Sequence, residues 1–317
     1  MNTQTILITL HNLSFSGANG RSFQTGYGNI ALTNLGGYAQ NFVRKLKSRS
    51  GLDIQFDSFG VIMHNVHQQN NQRHPNSNRK KENGSGGDDN IAPKSDYPNY
   101  FVDITLTLFI EVSIDLIDDD FDDIKDDFLQ KVKLTTFHSN LSISGGHMHT
   151  VQKSAARVHQ LSSNPYAKTE AYRQILRKIR MRGAVIVSSK DLLKRAMIDN
   201  GFDSVEALLS CMTHNFIPDR DESNGWLMPS RIGFKRLTEF VDASTVRGCR
   251  DPKCVIALGE EIVGLLECVG IKQVSSDGVN DYETMMFRQV QTSDNTGVFW
   301  ETKKSFKKDL SLTKDGR

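Results

Sequence analysis

The sequence predicts an α+β protein whose first half follows the order β-α-β-β-α-β, which is that of ferredoxin-like and RRM folds. Two patterns predict this order. Apolar residues alternate with polar ones in several stretches before residue 112, and two other stretches repeat apolar residues every three or four positions. The 317 residues are enough to bury a core in one elaborated domain or in two small ones.

Residues 1–150 contain the elements of this predicted core. The first strand is predicted where apolar residues alternate from Ile6 to Leu10. Thr33 suits the start of the first helix as a capping residue, and Gly51 suits its end. The buried face of this helix is predicted to consist of Leu35, Tyr38, Phe42 and Leu46.

Two strands are predicted next, at residues 52–66 and 100–112, because their apolar residues occupy alternate positions. An acidic helix is then predicted over residues 118–133 and a fourth strand over residues 134–143. The inward face of the acidic helix is predicted to consist of Phe121, Ile124, Phe128 and Val132.

A mixed α/β lobe is predicted over residues 151–317. It begins with a strongly basic helix at residues 168–182, whose apolar stripe is Tyr172, Leu176 and Ile179. A short strand is predicted at Ala184–Val187. Further helices are predicted at residues 189–199, 204–214 and 253–269, and strands in the last fifty residues.

The charges of the chain are strongly segregated, although their formal sum is only +2. Residues 100–127 carry ten acids and one Lys, whereas residues 128–195 carry thirteen Lys or Arg and two acids. Such blocks shape the local field more than the net charge does. The small net charge therefore does not exclude a polyanionic partner.

The basic helix is the most informative feature of the chain. Its bases are Lys168, Arg173, Arg177, Lys178, Arg180 and Arg182, and they are accompanied by a single acid. These charges repel one another unless an anion neutralises them, and the planar fork of arginine matches phosphate oxygens. The sequence therefore favours contact with nucleic acid. Two alternatives remain for the basic helix: its charged face is solvated, or it pairs with the acidic helix.

Residues 68–99 are almost without apolar side chains and are rich in Asn, Ser, Gly and Pro. Such a composition indicates a long excursion inserted into the domain, either a disordered surface loop or a thumb that orders on RNA. Its basic residues are Arg73, Arg79, Lys80 and Lys81.

Ser144-Gly145-Gly146-His147 indicates a tight turn, or else a place where the backbone approaches a phosphate closely.

No catalytic residue and no metal or other cofactor is predicted. The pairs His147 and His149, and His64 and His67, offer general bases, but a Lys or Tyr partner at a recognisable spacing is missing. The residues Cys211, His214, Cys249 and Cys254 have spacings unlike common zinc sites, and Asp118 to Asp120 suit a solvated helix start better than a magnesium site. The sequence contains no P-loop, Rossmann or nucleophile-elbow motif.

A cytoplasmic protein is expected. The apolar run Ile6 to Leu10 is too short for a signal peptide or an anchor and lacks a basic flank. The four cysteines are too few to form a disulfide framework, which indicates a reducing compartment.

Several segments resemble one known family in their order and spacing. They are Ile8 to Ala18, Gly36-Gly37, residues 52–64, the strand from Tyr100 to Val112, Gly145-Gly146, Arg173 to Ser188, Asn215 to Pro218, Gly225 to Pro229 and Gly297 to Trp300. Spread over nearly the whole chain, they resemble the Csy-type subunit of the type I-F CRISPR complex Cascade, which caps the five-prime handle of the guide RNA (crRNA). That family belongs to the RAMP proteins, which have a modified RRM fold with a protruding thumb.

The resemblance implies a non-catalytic, Cas-five-like RNA-binding subunit whose partners are the crRNA, the backbone protomers, the handle-processing endonuclease, a large subunit and the target DNA. It implies that residues 68–99 are the thumb. The residues expected to contact RNA are Gly145, Gly146, His147, Arg157, Arg173, Arg177, Lys178, Arg180 and Arg182. The polar thumb and the acidic helix depart from the family pattern. A repeating, Cas-seven-like backbone protomer, a CRISPR-RNA endoribonuclease and a direct reader of the PAM on duplex DNA therefore remain alternatives.

Overall fold

The structure is a computed structural model. It describes residues 2–23, 26–69, 100–116, 121–149, 155–179, 182–212, 226–246, 253–271, 274 and 282–303. Within these residues the protein has a mixed α/β architecture with five α-helices and a ten-stranded antiparallel sheet.

The five helices are α1 (Leu32–Ser50), α2 (Phe121–His138), α3 (Pro165–Lys178), α4 (Lys190–Asn200) and α5 (Ser204–Met212). Each one confirms a helix predicted from apolar periodicity. Across the described part of the chain, every helix is too short or too polar to cross a membrane. Gly51 ends α1 at φ 73°, a left-handed conformation that glycine adopts easily. Thr33 does not cap this helix, because α1 begins one residue earlier and the Leu32 N–H donates to Ser230 Oγ.

The strands of the described residues fall into one large sheet and two small ribbons. In chain order they are β1 (Asn2–Asn19), β2 (Arg21–Phe23), β3 (Gly26–Tyr27), β4 (Asp53–Gln69), β5 (Phe101–Leu116), β6 (His147–His149), β7 (Ala155–Leu161), β8 (Ala184–Ser188), β9 (Trp226–Arg236), β10 (Val241–Asp242), β11 (Val255–Ile256), β12 (Gly259–Gly270), β13 (Phe287–Gln291) and β14 (Gly297–Thr302). The strands predicted around Ile6, at 52–66, at 100–112 and at 184–187 are confirmed as β1, β4, β5 and β8.

The large sheet has the order β13-β14-β9-β12-β8-β4-β5-β1-β6, and β7 pairs with β1 beside β6. β13 also pairs with β4 through Phe287 and Phe59, so six strands from β4 to β13 close into a ring. One sheet thus includes strands from both sides of residue 150. The division of the chain into two domains at that residue stays a prediction.

Two predicted elements are wrong. Residues 134–138 continue α2 instead of starting a strand, because the hydroxyls of Thr135 and Thr136 donate to the carbonyls of Lys131 and Val132 one turn earlier. The predicted helix at 253–269 is replaced by β11 and β12. Its apolar residues recur at helical spacing, but β12 pairs with β8 on one side and with β9 on the other.

The part of the sheet formed by β4, β5, β1 and β7 is covered on both faces by different helices. Ile6, Ile8 and Leu10 of β1 pack in one core with the apolar sides of α1 and α2. Leu7 and its neighbours on the other face pack against Tyr172, Ile175 and Leu176 of α3. We call these the α1/α2 face and the α3 face. The acidic helix α2 and the basic helix α3 therefore lie on opposite sides of the sheet.

A buried ion pair fixes α3 on its face. Lys168 Nζ lies 2.6 Å from Glu111 Oε1, and the two residues are only 8% and 3% exposed. The hydroxyl of Tyr172 donates to the other oxygen of Glu111, at 3.0 Å. The ring of Tyr282 stacks on Tyr172 and lies 4.7 Å from the Lys168 ammonium. Lys168, grouped by sequence with the RNA-binding bases, thus has a structural role.

Replacing Lys168 with Met should lower the free energy of unfolding by about 3 kcal/mol, because Glu111 is left buried without its cation. Urea denaturation measures this change. Lys178→Met, on the exposed side of the same helix, is the matched control and should change stability by less than about 0.5 kcal/mol. Adding Glu111→Leu to Lys168→Met should recover part of the loss, and an equal or larger loss would contradict the role of the pair.

Candidate nucleic-acid interface

The α3 face has an apolar half and a polar half. α3 covers the apolar half, which includes Leu7, Phe109 and Ile62. Further along the same strands, the side chains on this face become polar. They include Ser14 and Ser16 of β1, Thr105 and Thr107 of β5, and Asn65 and His67 of β4, as the strand register shows.

Two β-bulges keep this half polar. In β1 the pairing with β5 shifts between Leu10 and Leu13, and Asn12 adopts φ 54° there. The extra residue moves Leu13 and Phe15 back to the apolar α1/α2 face, so that Ser14 points to the α3 face. A second shift, in β4, places His64 on the α3 face. Bulges of this kind are common next to functional sites.

Six of the nine histidines in the chain lie on the α3 face. They are His11, His64, His67, His147, His149 and His159. They come from four strands and are separated by up to 148 positions, so the sheet register alone brings them together.

A set of polar side chains that are neighbours in the strand register crosses the sheet from β7 to β4. We call it the polar row, and it consists of Thr9, His11, His64, Thr107, Arg157 and His159. Arg157 lies opposite Thr9 in the register, and His11 Nε2 is 3.1 Å from Thr9 Oγ1. On the β4 side, His64 Nε2 is 2.7 Å from Thr107 Oγ1, and His64 Nδ1 donates to the Arg182 carbonyl at 3.0 Å.

The imidazoles of the polar row are kept neutral by their surroundings. Burial, and to a smaller extent the nearby Arg157, His159 and His64, lower the pKa of His11 to about 4. Burial also lowers the pKa of His159, with Arg157, Lys178 and Lys125 acting in the same direction. The pKa of His64 is lowered by burial, which outweighs its bond to the Arg182 carbonyl. The charged groups that shift these histidines are cations or other histidines, so the row is an electropositive site that suits an anion.

Three of the predicted RNA-binding residues meet at this row. Arg157 belongs to it and is exposed, and Lys178 at the end of α3 lies near His159. Arg182 is exposed beside His64. α3 ends at Lys178, four residues before the predicted end, so Arg182 belongs to the connection to β8 rather than to a helix. Gly183 allows this connection to approach β4, because a Cβ there would lie 2.8 Å from the Met63 carbonyl oxygen.

The other bases of the predicted set are placed differently. Arg173 is largely buried, and its guanidinium lies 3.5 Å from Glu170 on the same helix. Arg177 is exposed on the outer side of α3. Arg180 lies outside the described residues.

Pairing between the basic and the acidic helix, the alternative from sequence, is disfavoured by the fold. The sheet separates α3 from α2. Within the described part of α2, Asp122 pairs with Lys125 and Asp127 pairs with Lys131, both on the same helix. The bases beside the polar row are thus held on the opposite side of the sheet from the acids that would neutralise them.

The Gly145-Gly146 segment is a tight turn at the end of β1. Ser144 and Gly145 have φ values of 50° and 78°, and the Asn19 N–H donates to the Ser144 carbonyl. A Cβ on Gly146 would lie 2.9 Å from the backbone of Ala18, so the close approach that this glycine permits is used by β1 itself. Gly145 borders open space. Its predicted contact with RNA stays a prediction.

The predicted thumb begins at the polar end of the α3 face. Gln69 of β4 pairs with Phe101 of β5, so residues on both sides of the insertion are neighbours. The first two residues assigned to the thumb, Gln68 and Gln69, belong to β4. Its basic residues Arg73, Arg79, Lys80 and Lys81 lie outside the described residues.

The histidines considered for catalysis are on β6, beside β1. His147 and His149 are exposed, and His149 Nε2 bonds to Ser16 Oγ. In the described parts of the chain, no group of three or more His, Cys, Asp or Glu is arranged to hold a metal ion. Of the cysteine and histidine set considered for zinc, Cys249 and His214 lie outside the described residues.

Sequence reasoning missed four members of the polar row, which are Thr9, His11, Thr107 and His159. The signal available was weak. Each is a polar residue that has apolar neighbours in its strand. A strand with one face in solvent shows the same alternation of polar and apolar residues. Only the pairing of the strands shows that these positions adjoin one another.

Comparison with known proteins identifies the family of the chain. A family model described as CRISPR-associated protein (Cas_Csy2) matches residues 8–310, which is nearly the whole chain. No curated protein matches the sequence.

The low pKa of His11 predicts that the protein loses stability in mild acid. The unfolded chain binds a proton at His11 near pH 6.5, whereas the folded protein does so only near pH 4. The free energy of unfolding should therefore fall as pH decreases from 6.5 towards 4, by about 1–2 kcal/mol after allowance for solvent screening. Denaturation at a series of pH values measures this slope. His11→Gln should flatten it, and an unchanged slope would contradict the burial of a neutral imidazole.

Proposed function

The chain belongs to the Cas_Csy2 family of CRISPR-associated proteins, a family of type I-F Cascade subunits, and we propose that it holds the guide RNA by its backbone without catalysing a reaction. In this proposal it binds the five-prime handle of the crRNA and contacts the backbone protomers of Cascade. The observation that carries the proposal is the polar row, with cations at both ends of it.

The geometry of the row suits a nucleic-acid backbone. Arg157 and Lys178 lie at its β7 end and Arg182 at its β4 end, so the row crosses four strands, or roughly 14 Å. Between these cations, the fully buried hydroxyls of Thr9 and Thr107 bond to His11 and His64, so they position the imidazoles, while the cations are the groups that meet phosphate oxygens. An elongated row of this kind fits a chain of phosphates better than it fits one small anion.

The topology supports a ferredoxin-like, RRM-type core. β1, α1, β4, β5, α2 and β7 follow the order β-α-β-β-α-β, and their strands lie in the order β4-β5-β1-β7 with both helices on one face. Proteins with an RRM fold bind single-stranded RNA on the face that these helices leave uncovered. The polar row lies on that face. We propose that residues 68–99, which start from its polar end, form the thumb.

The basic residues beside the row should contribute to RNA affinity. We expect Arg157→Ala combined with Arg182→Ala to weaken binding of crRNA at least tenfold. The slope of log affinity against log salt should fall by about one for each phosphate that no longer has a cation beside it. Filter binding at several salt concentrations measures both quantities.

Two bases on the opposite face provide the matched control. Arg44 and Lys47 are exposed on α1, and their replacement with Ala removes the same charge from the protein. This control should leave most of the affinity intact. If both double variants lost affinity equally, net charge rather than the polar row would account for binding.

The endoribonuclease alternative places His147 or His149 in a catalytic role. We expect purified protein to leave precursor crRNA intact, because the described residues near β6 show no general acid or base paired with either histidine. Gel analysis of the incubated RNA measures this. Cleavage that His147→Ala abolishes would replace the proposed function with an enzymatic one.

The backbone-protomer alternative differs in copy number. A handle-binding subunit occurs once in each complex, whereas a backbone protomer repeats along the guide. The mass of the purified complex, together with the sequence of its RNA, distinguishes the two. Several copies of this chain in one complex would favour the repeating protomer.

A further inference from the structure

We propose that the polar row takes up a proton when it binds RNA, so that a phosphodiester is held between Arg157 and two imidazolium groups, those of His11 and His159. This inference rests on the proposed function and adds to it a defined phosphate-binding site and a dependence of RNA affinity on pH. It concerns two histidines that sequence reasoning did not assign to binding.

The strand register places the three residues around one position. Arg157 lies opposite Thr9, with His159 two residues along β7 and His11 two residues along β1 in the opposite direction. All of them project from the α3 face. Arg157 and His11 lie beyond the part that α3 covers, and His159 lies opposite Leu7 at the edge of that part. A phosphate beside Arg157 would therefore have an imidazole on each side.

The hydrogen bonds of the row show which histidines are available. His64 uses both ring nitrogens, because Nδ1 donates to the Arg182 carbonyl and Nε2 accepts from the Thr107 hydroxyl. It is therefore a positioning residue. Nε2 of His159, by contrast, is buried without a hydrogen-bond partner in the described residues. A buried polar atom of this kind needs a partner, and a turn of the ring towards a phosphate beside Arg157 would give the protonated nitrogen an acceptor.

His11 has a related geometry. Its Nε2 is bonded to the hydroxyl of Thr9, which is fully buried. A neutral imidazole has one donor and one acceptor, whereas the protonated ring has two donors. Protonation would let His11 keep its bond to Thr9 and donate a second one to a phosphate oxygen. A charge-assisted bond of this kind is shorter and stronger than a neutral one.

A bound anion reverses the direction in which the surroundings shift the pKa values of His11 and His159. The charged groups that act electrostatically on these rings are Arg157 on β7, Lys178 on α3, Lys125 on α2 at the other side of the sheet, and the neighbouring histidines on β1, β4 and β7. Without a ligand, these groups and burial keep the imidazoles neutral. A phosphate within hydrogen-bond distance favours the charged ring instead. Binding and protonation are therefore linked, and each increases the other.

The test measures how RNA affinity depends on pH. The probe is a fluorescein-labelled oligoribonucleotide of twelve uridines, and its anisotropy is measured with the full-length protein at pH 7.5, 6.5 and 5.5 at constant ionic strength. Uptake of one full proton strengthens binding about tenfold for each pH unit. We expect the wild-type protein to gain at least fivefold between pH 7.5 and 5.5. His11→Gln and His159→Gln should each lose most of this gain.

A histidine on the other face of the sheet provides the control. His138 is exposed near the end of α2, so His138→Gln should keep the pH dependence of the wild type. If His11→Gln and His159→Gln bound the oligonucleotide with the same pH dependence as the wild type, the inferred phosphate-binding site would be wrong and the proposed function would stand. If the wild-type protein bound no RNA at any pH, both would fail.

A second measurement does not depend on the folding of the variants. Imidazole nitrogen shifts of the wild-type protein, followed by NMR against pH, report the titration of His11 and His159 directly. Adding the oligoribonucleotide should raise both titration midpoints by at least one pH unit, and the same concentration of inorganic phosphate should leave them unchanged. Midpoints unmoved by RNA, or moved equally by inorganic phosphate, would overturn the inference.

Discussion

The ion pair between Lys168 and Glu111 determines how much of the sheet α3 covers. It holds the helix over Leu7, Phe109 and Ile62, where the face is apolar, and the helix ends at Lys178, beside His159 of the polar row. Burying two charges is costly, and similar stability could come from apolar residues. The pair defines one position for α3 along the sheet. It thereby leaves Arg157 of the polar row exposed to a partner.

The sheet also separates the two charged helices. α2 carries its acids on one side, while α3 and the connection to β8 carry Lys178 and Arg182 on the other. Coulomb attraction between the two groups is therefore weakened by distance and by the core between them. This separation explains how a chain with a net charge of only +2 forms an electropositive site.

Strands from the second half of the chain hold β4, the strand that carries His64, in position. β4 belongs both to the sheet that carries the polar row and to the ring that β13 closes. Trp300 of β14 packs against Phe56 and Phe59 of β4 and against Gly36 of α1, where a Cβ would overlap the indole ring. The position of β4, and with it that of His64, therefore depends on residues near the end of the chain.

The sequence by itself determined the elements whose apolar residues follow one clear period. α1, α3 and the strands β1, β4 and β5 have this property, and so does the segregation of charge, because these features depend only on residues close together in the chain. Periodicity did not distinguish β12 from a helix, since the pairing of β12 with β8 and β9 involves distant residues.

The tertiary structure alone decided the site. His11, His64 and Arg157 are far apart in sequence and become neighbours through strand register and two bulges. The same packing decided which bases are structural. Lys168 and Lys178 look alike in the sequence, yet Lys168 is buried against Glu111 and Lys178 is exposed beside His159. The physical reason is that burial and ion pairing depend on the whole packed sheet rather than on local spacing.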